Sequence, residues 1–164
     1  MAKPAHVSGA LGARQTAVEE TAGSILRTKG NHVWQIAPSA TVYEAVAEMA
    51  LRSVGALPVV SEGALVGIVT ERDYARKVIL QGRSSPHTTV GEIMTPSPVS
   101  ITPEFTVQEC LRIMTVRRFR HLPVVEECKL CGILSIGDLV ASIIASQAFT
   151  IEKMEQYIAA EYPG

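Results

Sequence analysis

The sequence is poor in aromatic residues, 5% with a single tryptophan, and it has no surplus of either charge, its formal net charge being −1. That balance gives no reason to expect a nucleic-acid or membrane-surface partner. No apolar run approaches the ~18 residues of a bilayer-spanning helix. Residues 1–15 hold no continuous apolar segment of the secretory type. The cytoplasm is therefore the expected location, although Arg14 and the lack of an acidic residue before Glu19 would also fit a cleaved organelle-targeting segment. What is plentiful is apolar surface, 47% against 19% charged, a globular and not a disordered composition.

Cysteine is scarce too, with Cys110, Cys128 and Cys131 the only three. Cys128 and Cys131 have the CxxC spacing of redox and zinc sites, but no second CxxC or histidine pair completes a tetrahedral shell. His6, His32 and His87 lack metal-ligand spacing, and His121 has no adjacent serine or cysteine nucleophile. No metal requirement and no catalytic activity are expected.

The organising feature is a string that occurs twice, Gly67-Ile68-Val69-Thr70-Glu71-Arg72-Asp73 and Gly132-Ile133-Leu134-Ser135-Ile136-Gly137-Asp138, 65 residues apart. The offset holds without a gap from Pro38/Pro103 to Asp73/Asp138, and 15 of the 36 aligned positions are identical. This is an internal duplication, whose units need not bury their apolar faces alone. In register with it, Cys131 aligns with Val66 in an apolar strand, Cys128 with Gly63 in a turn and Cys110 with Ala45 on a helix face, which favours a packing role for all three.

In chain order, residues 1–17 lack periodicity and read as a flexible lead-in. A short helix is expected over 22–28, echoed before the second repeat by Gly91-Glu92-Ile93-Met94. Brief strands are expected at 33–36 and 99–101, stopped by Pro38 and Pro103. Thr41 with Glu44, and Thr106 with Glu109, form capping boxes. Apolar residues at 42, 45, 46, 49 and 50 then sit at helical spacing. Strand–turn–strand units follow at 57–69 and 122–134, then helices at 71–80 and 136–146. Residues 81–88 are a breaker-rich linker. Phe149, Ile151, Met154 and Tyr157 mark a further helical face, expected to pack on its own module or on a partner subunit. The division expected is a lead-in at 1–19, repeats at 20–80 and 89–146, and a helix or tail at 147–164. Each repeat reads β-α-β-β-α, an α+β class, and two of them packed sheet to sheet with pseudo-two-fold symmetry bury both apolar faces and leave clefts between them.

Thr70 with Asp73, and Ser135 with Asp138, have two readings. In one, each pair is an N-cap and a first-turn acid that complements the helix dipole. In the other, the carboxylate accepts from the hydroxyls of a ribose, while the hydroxyl and free amides meet sugar or phosphate oxygens.

The motifs Gly55-Ala56-Leu57-Pro58-Val59-Val60 and His121-Leu122-Pro123-Val124-Val125, each followed by the strand-to-helix string, resemble those of cystathionine-β-synthase (CBS) domains, and the tandem pair resembles a Bateman module. The resemblance spans about residues 20–146, and through Thr70-Glu71-Arg72-Asp73-Tyr74 and Gln81-Gly82-Arg83-Ser84-Ser85 the sequence is also similar to small stand-alone CBS-pair proteins of bacteria and plant organelles. It implies non-catalytic, regulatory binding of adenine nucleotides, AMP foremost with ATP, ADP, NAD or S-adenosylmethionine as others, and no metal. It further implies that Asp73 and Asp138 hold ribose, assisted by Thr70 and Ser135. The base would lie against Ile36, Ala37, Ala56 and Leu57 in one copy and Ile101, Thr102, His121 and Leu122 in the other, with Met94, Thr95 and Pro96 lining a cleft. A homodimer and a regulated partner protein are also implied.

The copies differ in charge. Arg117-Arg118-Phe119-Arg120-His121 stands where the first has Arg52-Ser53-Val54-Gly55-Ala56, and Arg72 is replaced by Gly137. The basic run reads either as a solvated helix end or as phosphate ligands, Arg120 and His121 before others. Lys29, Arg76 and Lys77 are lesser candidates. Against the sensor stand an architectural dimerisation module with empty clefts and a redox regulator working through Cys128 and Cys131.

Overall fold

The computed structural model describes residues 19–30 and 32–161. The lead-in, with His6 and Arg14, falls outside them up to residue 18, and so do the last three residues of the tail. Two similar halves are built in the same order. The first contains α2 (Val42–Arg52), β1 (Ala56–Ser61), β2 (Ala64–Thr70) and α3 (Glu71–Tyr74), which runs on as a π-helical turn over Ala75–Ile79. The second contains α5 (Val107–Arg117), β4 (His121–Glu126), β5 (Lys129–Ser135) and α6 (Ile136–Glu161). Ahead of the halves stand α1 (Ala22–Lys29) and α4 (Val90–Ile93), and α4 is followed by a two-residue strand, β3 (Thr95–Pro96).

Local chemistry sets these boundaries. Glu44 Oε2 accepts from the Thr41 amide at 2.7 Å and Thr41 Oγ1 accepts from the Glu44 amide at 3.1 Å. The pair Thr106 and Glu109 repeats this at 2.8 and 3.2 Å. Both helices end on a left-handed residue, Ser53 (φ 55°) and Arg118 (φ 57°). β1 pairs antiparallel with β2 and β4 with β5, each with a register shift at the second valine of the Leu-Pro-Val-Val block. Their turns, Glu62-Gly63 and Glu127-Cys128, have positive φ at both residues, the geometry that suits a two-residue hairpin.

The strands expected at 33–36 and 99–101 are shorter than expected. Each contributes one parallel bridge, Ile36 to Val59 and Ile101 to Val124, because the following prolines end the ladder after a single pair of hydrogen bonds. The helix expected at 136–146 does not stop there. It continues as one 26-residue helix through Glu161, with no glycine or proline after Gly137 to break it.

The leading segments are exchanged. α1 precedes the first half but packs into the second core, where Ala22, Ile25 and Leu26 join Ile101, Cys110, Met114, Leu122, Val124, Leu134 and Leu139. α4 packs into the first core, with Val42, Met49, Leu57, Val59, Val69 and Val78. Matching hydrogen bonds fix both. The Ala22 and Gly23 amides donate to the carbonyls of Phe105 (2.8 Å) and Pro103 (2.9 Å), and the Val90 and Gly91 amides donate to those of Ala40 (2.8 Å) and Pro38 (2.9 Å). A Cβ on Gly67 would run into the Met94 side chain, and one on Gly132 into that of Leu26, so the two glycines let each strand meet its leading segment without displacing those side chains. β2 and β5 lie against one another at the centre. Each half needs the other's leading segment to close its core.

Candidate functional site

Each repeated string leaves its strand as extended backbone and turns into a helix. Thr70 is the N-cap of α3: its amide donates to Asp73 Oδ2 (2.9 Å), and its Oγ1 accepts from the Asp73 amide (3.1 Å). Asp73 is buried, 9% exposed. Its other oxygen, Oδ1, pairs with Lys77 Nζ at 2.9 Å, and the same ammonium donates to the Ile93 carbonyl of α4 at 2.8 Å. Ser135 and Asp138 form the same box at the start of α6, at 2.8 and 3.1 Å. Here the cation comes from elsewhere: Lys29, at the end of α1, reaches Asp138 Oδ2 at 2.8 Å and the Ile133 carbonyl at 3.2 Å. Burial alone would raise the Asp138 pKa, but the Lys29 ion pair and the Ser135 amide outweigh it and hold the carboxyl below its ordinary range.

A cavity of about 560 Å³ opens beside the first of these turns. Thr70, Glu71, Arg72 and Asp73 form one wall, Thr95, Ser97, Pro98 and Val99 a second, and Arg117, Phe119, Arg120 and His121 a third. The lining thus combines two carboxylates, Glu71 and Asp73, and the hydroxyls of Thr70, Thr95 and Ser97 with three guanidinium groups, and Phe119, Ile68 and Pro123 supply apolar surface. A Cβ on Gly55 would sit 3.4 Å from Glu71 Oε2 and 3.5 Å from His121 Cε1, so these two side chains close around that glycine. Burial and the Lys29 ammonium push the His121 imidazole below its usual pKa, only partly opposed by Asp138.

Of the residues singled out in the sequence, Thr70, Arg72, Asp73, Thr95, Arg120 and His121 meet at this cavity. Gly55, Arg117 and Phe119 of the quoted motifs line it as well, whereas the residues expected around the base and at the second turn do not. Leu57, Ile101 and Leu122 are core side chains, and Ala56 is buried at 3% exposure. Ile36 bridges to Val59, with Ala37 exposed beside it. Met94 packs against the first core, while Pro96 and Thr102 are exposed. Ser135, Gly137 and Asp138 belong to the other turn, where Lys29 sits. The lining residues that sequence reasoning did not assign are mainly Ser97, Pro98 and Val99. Their approach to the 70–73 turn follows from the packing of α4 into the first core, for which the sequence carries no local signal.

Cys131 packs against the second core as Val66 does against the first. Burial pushes the Cys110 thiol up to about 11, away from thiolate chemistry. Among the described residues no group of three or more histidine, cysteine, aspartate or glutamate side chains could hold a metal, and no helix is long and apolar enough to cross a membrane.

The family model for the CBS domain matches twice, over residues 24–79 and 90–145. The chain belongs to the CBS-domain family. The CBS pair is 44% identical over 127 residues to the mitochondrial CBS domain-containing protein CBSX3 of Arabidopsis thaliana, an alignment that covers 74% of this chain and 62% of that protein. A solved protein with CBS domains from Burkholderia ambifaria MC40-6 superposes with a TM-score of 0.74 at 47% identity, over 77% of this chain and 96% of the other. CBSX2, solved in complex with AMP, superposes with a TM-score of 0.66 at 27% identity, over 78% of this chain and 98% of that one. These matches bear out the tandem CBS architecture expected from the repeated motifs.

Proposed function

We propose that this CBS pair is a non-catalytic regulatory module that takes an adenine nucleotide in the cavity between the 70–73 turn and the 117–121 segment. AMP is the first choice, with ATP, ADP, NAD or S-adenosylmethionine as competitors. The observation that carries this reading is the cavity itself, which sets Thr70 and Asp73 across from Arg117, Arg120 and His121. A ribose at Asp73 would direct its phosphate toward the arginines, whose planar forks suit phosphate oxygens. The complex of the relative CBSX2 with AMP supports the ligand class. The base would meet the apolar lining of Ile68, Phe119 and Pro123.

Regulation needs a ligand that binds two states of the module unequally. The exchanged leading segments offer such a coupling, because Lys77 ties Asp73 to the Ile93 carbonyl of α4. A nucleotide that displaced Lys77 would loosen α4 from the first core, and a partner protein reading that change would be regulated. The module acts as a homodimer, and its proposed location is the cytoplasm; the mitochondrial relative makes the organelle the competing location, which cell fractionation decides.

Thermal unfolding with AMP, ADP, ATP, NAD and S-adenosylmethionine tests the reading. A ligand at a hundredfold excess over its Kd adds about 2.7 kcal/mol to the native state, a rise of roughly 5–10 °C for a module of this size. An unmoved midpoint with all five sinks the sensor. A second reading, a ligand-free architectural module, is favoured by one fact: both carboxylates already have a hydrogen-bonded partner and a cation. It requires the same stable dimer and no ligand response after both aspartates become alanine.

A further inference from the structure

We infer that the second half of α6 is a self-association seam, on which two copies of this chain join as a two-stranded, parallel coiled coil. This rests on the homodimer reading and adds where the contact is made. The family match ends at residue 145, yet α6 runs on to Glu161. Every residue of α6 from Ile144 onward is exposed, and past Ser146, whose Oγ donates to Glu20 Oε2 at 3.2 Å, about 15 residues of helix stand clear of the body. A free helix of that length is marginal in water, since most helical stability comes from packing an apolar face.

That face is present and has a regular period. Val140, Ile144, Gln147, Ile151, Met154 and Ile158 follow one another at alternating steps of four and three, the spacing of a heptad seam. The stretch from Val140 to Ile158 spans about 27 Å at 1.5 Å per residue. Ile144, Ile151, Met154 and Ile158 are 61%, 57%, 61% and 60% exposed. Isoleucine falls at each of three successive a positions, the β-branched choice of two-stranded parallel coiled coils, while Val140, Gln147 and Met154 stand at d where such dimers carry leucine. Gln147 is the one polar d residue, and in a parallel pair it faces its own copy across the seam.

The area is adequate. With Ile136 and Tyr157 on the flank, seven large side chains each leave on the order of 100 Å² open, roughly 700 Å² per copy, close to the ~800 Å² that a standard interface takes from each partner. It exceeds the ~300–600 Å² of the largest apolar patch on an ordinary monomer. An isologous contact of this kind closes on itself as a two-fold dimer. Phe149, grouped in the sequence with Ile151, Met154 and Tyr157 as one face, lies instead on the opposite side of α6, because two residues of helix turn by about 200°; Lys153 Nζ sits 4.7 Å from its ring centre, and it takes no part in the seam.

The test is the solution mass of the full chain by light scattering, with Ile151→Asp, Ile158→Asp and Phe149→Asp compared with the parent. The expected result is a parent dimer, a twofold lower mass for both isoleucine variants, and an unchanged dimer for Phe149→Asp. The thermal midpoint of the body should stay within a few degrees in all of them. Dimers in both isoleucine variants would overturn the seam and leave the homodimer reading standing. A parent that is monomeric at 100 µM would overturn both. Equal loss of mass in all three variants would also overturn the seam, since the off-seam charge would then act alike.

Discussion

The two strand-to-helix turns of this CBS pair share a capping box but differ in what stands opposite. Across from Asp73 the chain is open and holds Ser97; across from Asp138 the matching position is Lys29, whose ammonium lies 2.8 Å from the carboxylate. The register that equates Gly23 with Gly91 and Leu26 with Met94 also equates Lys29 with Ser97. The cause of the difference is proline. After Leu26 the sequence Arg27-Thr28-Lys29 continues the helix to its Gly30 cap, which carries Lys29 onto the second turn. After Met94 the sequence Thr95-Pro96-Ser97-Pro98 cannot stay helical, because the residue before each proline is pushed out of the α region. The chain turns extended, β3 pairs with β2, and space is left beside Asp73. Duplication supplied two equivalent turns, and two prolines made one of them a cavity.

The largest effect should separate the two aspartates. Asp73→Asn is expected to lower nucleotide affinity at least tenfold and to remove most of the ligand-dependent thermal shift, whereas Asp138→Asn leaves that shift nearly intact. Asparagine retains a carbonyl oxygen for the Thr70 amide, so the cap itself, worth about 1 kcal/mol, is largely kept. Equal losses for the two variants would erase the distinction between the clefts.

Next in size is the basic wall. Charge-assisted hydrogen bonds contribute about 1.5–3 kcal/mol, so Arg120→Ala should weaken AMP by roughly tenfold to a hundredfold. Adenosine, which has no phosphate, should bind the parent and the variant alike. Arg117→Ala should act in the same direction. A loss for adenosine as large as that for AMP would show that Arg120 shapes the cavity and does not meet the phosphate.

How much of this could be read from residues alone follows the range of each interaction. Capping boxes and hairpins depend on neighbours a few positions apart, and Thr41 with Glu44, Thr70 with Asp73 and Glu62-Gly63 announce themselves. The exchange of α1 and α4 does not, because nothing in the order of the chain says which core Ile25 or Ile93 will enter. The contact of Lys29 with Asp138 spans 109 residues and depends on that exchange. The short strands were over-read, since a run such as Val33-Trp34-Gln35-Ile36 has strand character but only Ile36 finds a backbone partner. The Arg117 and Arg120 wall was half visible: its charge stood out in the sequence, while the cavity it lines shows only in the structure, where Arg117 is also an exposed residue of the last turn of α5.

Removal of Lys29 should move the second cleft toward the first. Lys29→Met is expected to raise the stoichiometry measured by titration calorimetry from one nucleotide per chain toward two, the second site being the weaker. The same variant should change stability in acid. The Asp138 pKa is lowered in the folded state, so its contribution is present above the unfolded carboxyl pKa of ~3.9 and is lost as pH falls through the folded value. Without Lys29 that acid-dependent loss should shrink. An unchanged stoichiometry would mean that the second cleft is shut by more than one ammonium.

The smallest effect concerns His121, which lies within reach of both turns. Its pKa is lowered by burial and by Lys29, so the folded state favours the neutral ring. The sign follows from linkage: between the folded value and the unfolded ~6.5 the unfolded chain binds more protons, so stability is full above pH 6.5 and declines as pH falls toward the folded pKa. A phosphate arriving beside Arg120 and His121 would favour the charged ring and raise that pKa. Binding of AMP should therefore take up a fraction of a proton below pH ~6.5 and tighten as pH falls through the folded pKa, by about threefold at most for a shift of half a pKa unit. Calorimetry in two buffers of unequal ionisation enthalpy reads the proton directly. His121→Gln should abolish the uptake while leaving affinity at pH 8 close to the parent's. Uptake that persisted in the variant would assign the proton to another group and remove His121 from the phosphate side of the cavity.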